Sequence, residues 1–188
     1  MITTNGFENN FVPEDHEFQT LRQKSRQKLF QVANTLTGQN FDDETLVVVN
    51  SGRYEFRNKG IDLFIESIAR LKQKKLAKKI LALILVPAHH DGPRYDIIQR
   101  FEKPENGPLP NPFHTHNLHE FHNDAVVRKI FETGLNQQSD VSIIFVPCYL
   151  NGNDGVFNLT YYQLLIGADL TAFPSYYEPW GYTPLESI

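Results

Sequence analysis

The chain has 188 residues, 40% of them apolar and 12% aromatic, which is enough to bury the core of one domain but not of two. A net charge of -4 gives no chain-wide basic field of the kind nucleic-acid binding draws on. A lone cysteine, Cys148, excludes an internal disulfide and fits a reducing compartment; with no long apolar run and no signal-like start, the expectation is a cytoplasmic protein.

In chain order, the charged segment from about Glu14 to Thr35 lacks a clear apolar stripe and reads as one long helix lying beside a sheet. TLVVVNS, Thr45 to Ser51, is a short continuous apolar run, the signature of a strand buried on both faces of a parallel sheet. Ile61, Phe64, Ile65, Ile68 and Leu71 recur at helical spacing, so a helix from about Gly60 to Lys75 buries one stripe. The basic run KQKKLAKK, Lys72 to Lys79, is its solvated end. A second apolar strand follows in ILALILVPA, Ile80 to Ala88, and then a short helix in YDIIQRFE. The segment from Lys103 to Asn117, rich in Pro, Asn and Gly, reads as the longest loop. Helical NDAVVRKIFETGL leads to a third strand, VSIIFVP from Val141 to Pro147; helical NLTYYQLLIGA leads to a fourth, LTAFPS from Leu170. This alternation predicts an α/β fold with a Rossmann-like parallel sheet covered by helices on both faces.

In open parallel sheets ligands bind beyond the carboxyl ends of the strands, which directs attention to two loops. SGRYEFRNKG, after the first strand, carries Arg53, Arg57 and Lys59, cations able to neutralise a diphosphate; the alternative is that all three are solvated loop charges. SYYEPWGYTPLE, after the last strand, reads as a helix start with Thr183 as N-cap, Pro184 in the first turn and Glu186 completing a capping box. A phosphate would then meet the amides of Gly181, Tyr182 and Thr183. Glu178 stands among aromatics before Pro179 and needs a hydrogen-bonding partner such as a sugar hydroxyl. Tyr161 and Tyr162 pack on the sheet unless a base uses them as a stacking surface. His114, His116, His119 and His122, with His89 and His90, follow no ligand spacing of defined geometry, so no metal is expected there, and Cys148 reads as a small core residue.

SGRYEFRNKG and FPSYYEPWGYTPLE, with TTNGF at the start, HEFQTLRQKS in the first helix and HTHNL in the long loop, resemble the glycogen synthases of the animal and fungal type over nearly the whole chain. The resemblance implies a retaining glycosyltransferase of GT-B architecture, built from two Rossmann-like domains, of which this chain corresponds to the start of the C-terminal, donor-binding one. It implies that Arg53 and Lys59 contact the diphosphate of UDP-glucose, that Tyr161 stacks on the uracil, and that Glu178 lies near the transferred glucose. Glu186 would face the ribose or the phosphate-side helix, with Trp180, Gly181, Tyr182 and Thr183 lining the sugar and phosphate. The acceptor would be an α-1,4-glucan, and no metal or cofactor is called for. Since the helix begun at Thr183 has about one turn before Ile188 and the family's acceptor-side domain would precede Met1, the expectation is an incomplete nucleotide-sugar-binding domain, inactive alone. The residues leave open a non-catalytic sugar-nucleotide-binding or regulatory module, another sugar-nucleotide transferase of this architecture, ADP-glucose as donor, and a homo-oligomer of the full enzyme.

Overall fold

The computed structural model describes residues 13–187; the TTNGF stretch and Ile188 lie outside them. Helix α1 spans Asp15–Thr37. The apolar stripe missing from its first half is supplied by its second, where Leu29, Val32, Ala33 and Leu36 are buried. Then follow β1 (Leu46–Ser51), α2 (Ile61–Lys72), β2 (Ile80–Leu85), β3 (His90–Pro93), α3 (Tyr95–Glu102), β4 (His116–Leu118), α4 (Ala125–Glu132), β5 (Val141–Val146), α5 (Tyr161–Leu165), β6 (Leu170–Thr171) and α6 (Tyr182–Leu185).

The main sheet has the order β5-β2-β1-β6, with every pairing parallel. Its two faces divide the apolar strand residues by alternation, as a period of two requires. Val47, Val49, Leu81, Leu83, Leu85, Ile144 and Val146 join the residues buried beneath α1 and α5. Val48, Ile80, Ala82, Ile84, Val141, Ile143 and Phe145 join those from α2 and α4. The expected parallel α/β fold with helices on both faces is therefore present. Among the described residues no helix is long and apolar enough to cross a membrane.

Within the sheets and their connections, the sequence reading and the structure part in three places. The expected strand LTAFPS pairs through Leu170 and Thr171 alone, since Pro174 has no amide proton to continue a ladder. The Lys103–Asn117 loop is more ordered than its composition suggests: Phe113, His114, Thr115 and His116 are buried, and Thr115 and Phe113 exchange backbone bonds with Phe145 at the edge of β5. The buried Arg94 organises that loop by donating to the carbonyls of Pro110, Asn111 and His114 at 2.6, 2.8 and 3.1 Å. Finally, β3 and β4 form a separate two-stranded antiparallel ribbon, whose three- and four-residue strands are too short to show periodicity.

Candidate functional site

Strand order defines the site. From β1 the chain steps to β2 and β5 on one side and returns to β6 on the other, so the carboxyl ends of β1 and β6 flank the point where the winding reverses. Crevices at such points hold ligands in doubly wound sheets. The two loops singled out in the sequence meet here. The Asn50 side-chain amide donates to Ala172 O at 2.8 Å, and the Tyr176 amide donates to Asn58 O at 2.9 Å. Gly60, the N-cap of α2 with φ 65°, lies so close to Pro174 that a Cβ there would stand 2.0 Å from the proline carbonyl oxygen.

Across this junction Lys59 Nζ donates to Glu178 Oε2 at 2.6 Å. Ser175 Oγ adds a 3.2 Å bond to the same oxygen, and the Gly181 amide also donates to the carboxylate. The hydrogen bond from Lys59 is the largest cause holding the Glu178 carboxyl below its usual range, with the lysine's charge and the Ser175 and Gly181 bonds adding to it against partial burial. Ser175 escaped the sequence reading; its position three residues before Glu178 in a turn is the local signal that could have found it.

The helix start is corrected. Gly181, at φ 77°, is the N-cap of α6 and no side chain caps it; Thr183 lies within the helix and Glu186 at its C-terminal end. The left-handed turn at Gly181 begins the helix two residues earlier than Thr-Pro-x-Glu suggests, so no capping box forms. With four residues, α6 has little dipole, and the Gly181 amide is already turned to Glu178. Glu186 instead accepts a bond from Tyr162 Oη at 3.0 Å, which, after burial, holds that phenol in its protonated form.

Tyr161, half-buried against the core, shares a 2.8 Å hydrogen bond with Ser51 at the end of β1. Burial is the main cause pushing its hydroxyl up to about 12. A capping box does form at this helix, with Thr160 and Gln163 fixing the start of α5 and hence the Tyr161 ring. Trp180 and Tyr182 are exposed beside the crevice, their rings 6.2 Å apart. Arg53 stands apart: its side chain is 78% exposed and pairs with Glu55 at 3.1 Å. Arg57 is likewise exposed, against the α2–α4 side. The structure thus joins Lys59, Glu178, Ser175 and Gly181 in one cluster, Tyr162 with Glu186 in a second, and leaves Arg53 extended into solvent.

The histidine run divides. His114 is buried; its burial and the nearby Arg94 charge depress its pKa to about 3, while His119 pairs with Asp91 at 2.8 Å near the surface. Cys148 is buried as expected, and burial pushes its thiol up to about 12.

The family model described as glycogen synthase matches residues 1–99 and 97–188. The chain is 33% identical to a glycogen [starch] synthase of Neurospora crassa over 91% of its own length and 33% of that protein's. It is 31% identical to isoform 2 of the same enzyme in Saccharomyces cerevisiae, covering 91% of this chain and 34% of that one. To the human liver form it is 27% identical, covering 99% and 35%. It spans about a third of the length of these relatives. The matches cover both loops whose residues meet at the crevice, and the chain belongs to the glycogen synthase family.

Proposed function

We propose that the chain is the donor-binding portion of a glycogen synthase that transfers glucose from UDP-glucose to the non-reducing end of an α-1,4-glucan with retention of configuration, acting in the cytoplasm. The observation that carries this reading is the Lys59–Glu178 pair across the β1–β6 crevice, an arrangement suited to a ligand that is anionic at one end and hydroxylated at the other. Diphosphate oxygens compete with Glu178 for Lys59, and the released carboxylate is then free to accept a bond from a sugar hydroxyl. Arg53, extended and able to swing, brings a second cation with a planar fork to the charge that grows on the departing diphosphate. Tyr161, fixed by Ser51, offers a ring to the uracil; Trp180, Gly181, Tyr182 and Thr183 line the sugar and phosphate, and Glu186 faces the ribose side with Tyr162. The acceptor hydroxyl is positioned by the rest of the enzyme.

The test is glucose transfer by the full protein that carries this chain. With labelled UDP-glucose and glycogen, Lys59→Ala and Arg53→Ala are each expected to lower kcat by a hundredfold or more, the size typical for removing one donor to a developing oxyanion. Thermal unfolding should change little for Arg53→Ala, because exposed cations add little stability. Normal turnover in both variants would end the assignment, and faster transfer from ADP-glucose would replace the donor.

A further inference from the structure

Away from the crevice, three side chains from separate parts of the fold converge in the interior. His116 opens β4, Cys148 lies two residues beyond β5, and Asp154 sits in the loop leading to α5. Their donor atoms all lie within 4.8 Å of one another. His116 is 0% exposed and Cys148 5%, and Asp154 is half-buried. We propose that His116, Cys148 and Asp154 form a binding site for a divalent transition-metal ion of the zinc type, which clips the β3–β4 ribbon to the loop between β5 and α5.

The donor set supports the choice of ion. An imidazole, a thiolate and a carboxylate suit a borderline-soft cation, whereas magnesium and calcium prefer oxygen alone. The surroundings also orient the donors. Asp154 Oδ1 accepts from the amides of Val156 and Phe157 at 2.9 and 2.7 Å, and Oδ2 accepts from Asn158 at 2.7 Å, so the carboxylate is held rigidly while Oδ2 keeps a lone pair. His116 has Thr115 Oγ1 2.9 Å from Nδ1 and the Asp154 carbonyl 3.0 Å from Nε2. Without an ion, Nε2–H donates to that carbonyl and the Thr115 hydroxyl donates to Nδ1. With an ion at Nε2, the ring proton moves to Nδ1, Thr115 Oγ1 becomes its acceptor, and the Asp154 carbonyl stands ready as a fourth ligand. An acceptor on the far nitrogen is the usual way a metal-binding histidine is aimed, and the Thr115 hydroxyl oxygen takes that place here.

Two costs accompany binding. Bonds of about 2.0–2.3 Å in a tetrahedral site set ligands roughly 3.4–3.8 Å apart, so the cluster must close by about 1 Å. The Cys148 thiol must also give up its proton to solvent, which burial and the nearby Asp154 charge resist; the ion therefore binds more tightly as pH rises and releases one proton. Lys28 lies within coulombic range of the Asp154 charge, but its ammonium donates to Gln31 Oε1 at 3.0 Å. The proposed site departs from the expectation, drawn from spacing, that the histidine run holds no metal: its other two ligands come from beyond β5, Asp154 being 38 positions away from His116.

Cobalt(II) titration of the reduced, full-length protein tests the site. A thiolate-to-cobalt absorption band near one equivalent is expected, displaced by zinc and lost in Cys148→Ser. His116→Ala and Asp154→Asn should each weaken cobalt binding at least tenfold. Zinc at about a hundred times Kd should raise the unfolding midpoint of the domain that carries the site by roughly 5–10 °C. The proposal is overturned if the unaltered protein shows no cobalt band attributable to Cys148 at ten equivalents, or if the band persists at unchanged affinity in both His116→Ala and Asp154→Asn.

Discussion

Alanine at Gly60 should damage the protein through two separable effects. The first is conformational: Gly60 has φ 65°, and a side chain in the left-handed region costs about 1–2 kcal/mol. The second is steric, because the new Cβ would stand 2.0 Å from Pro174 O and 2.5 Å from Pro174 C, where ordinary contact begins near 3.4 Å. Relief requires the β1 and β6 loops to part by more than an ångström, and forced repacking of that kind costs about 1–3 kcal/mol. Gly134→Ala isolates the first effect, since Gly134 has φ 70° but nothing within 4 Å of the point its new methyl group would occupy. In urea unfolding, Gly60→Ala should therefore have a midpoint roughly 0.5–1.5 M below that of Gly134→Ala. The parted loops also separate Lys59 from Glu178, so the coupling between those residues in a double-mutant cycle should vanish in the Gly60→Ala background. Equal midpoints for the two alanine variants, with the coupling intact, would refute the claim that Gly60 is where the two loops of the site are pressed together.

The Lys59–Glu178 pair should also show its strength through pH. A carboxyl whose native pKa lies below its unfolded one contributes stability above the unfolded value and loses it as pH falls through the native value, so the coupling, roughly 0.5–1 kcal/mol for a part-exposed pair, should be constant near neutrality. It should fade only below the reference value of 4.5; a cycle repeated across pH 3–7 measures it, and a coupling that already falls between pH 7 and 5 would contradict the lowered pKa. Arg94→Ala should cost roughly 2–4 kcal/mol, because the His114 carbonyl loses a buried donor and those of Pro110 and Asn111 lose part-buried ones. Arg94→Lys should recover little of that, since an ammonium gathers its three donors on one nitrogen and cannot span the acceptors that the guanidinium reaches through two; denaturant unfolding of both variants checks this.

The central strands were legible because β1, β2 and β5 are buried on both faces and read as near-continuous apolar runs, broken only by Asn50, Ser51 and Ser142. The α2 stripe was legible for the same reason of burial, on one side only. What escaped was short or held by side chains. The β3–β4 ribbon contains Gly92, Pro93 and Asn117, residues that suggest a loop, and it is ordered by its neighbours rather than by its own pattern. The misread start of α6 turned on one glycine: Thr183 and Glu186 satisfy a capping rule, but a left-handed Gly181 had already begun the helix. At the site, the residue types could be read from two loops, yet nothing local says that Lys59 meets Glu178 while Arg53 does not. That difference is set by the close approach at Gly60 and Pro174, which is a property of the packed sheet.

The Lys59–Glu178 contact joins residues 119 positions apart, and this separation imposes an order of assembly. During synthesis at about 5–20 residues per second, the lysine loop emerges roughly 6–24 s before the carboxylate that completes it. The β1–β2 pairing and α2 can form in that interval, whereas the outer side of β1 waits for Leu170 and Thr171 to arrive. Until then the nascent chain presents an apolar strand with an uncapped row of backbone donors and acceptors, a surface prone to pairing with other chains. The two-residue pairing of β6 closes that edge late and lightly, which makes the last-made part of the crevice also the part on which the solubility of a growing chain depends.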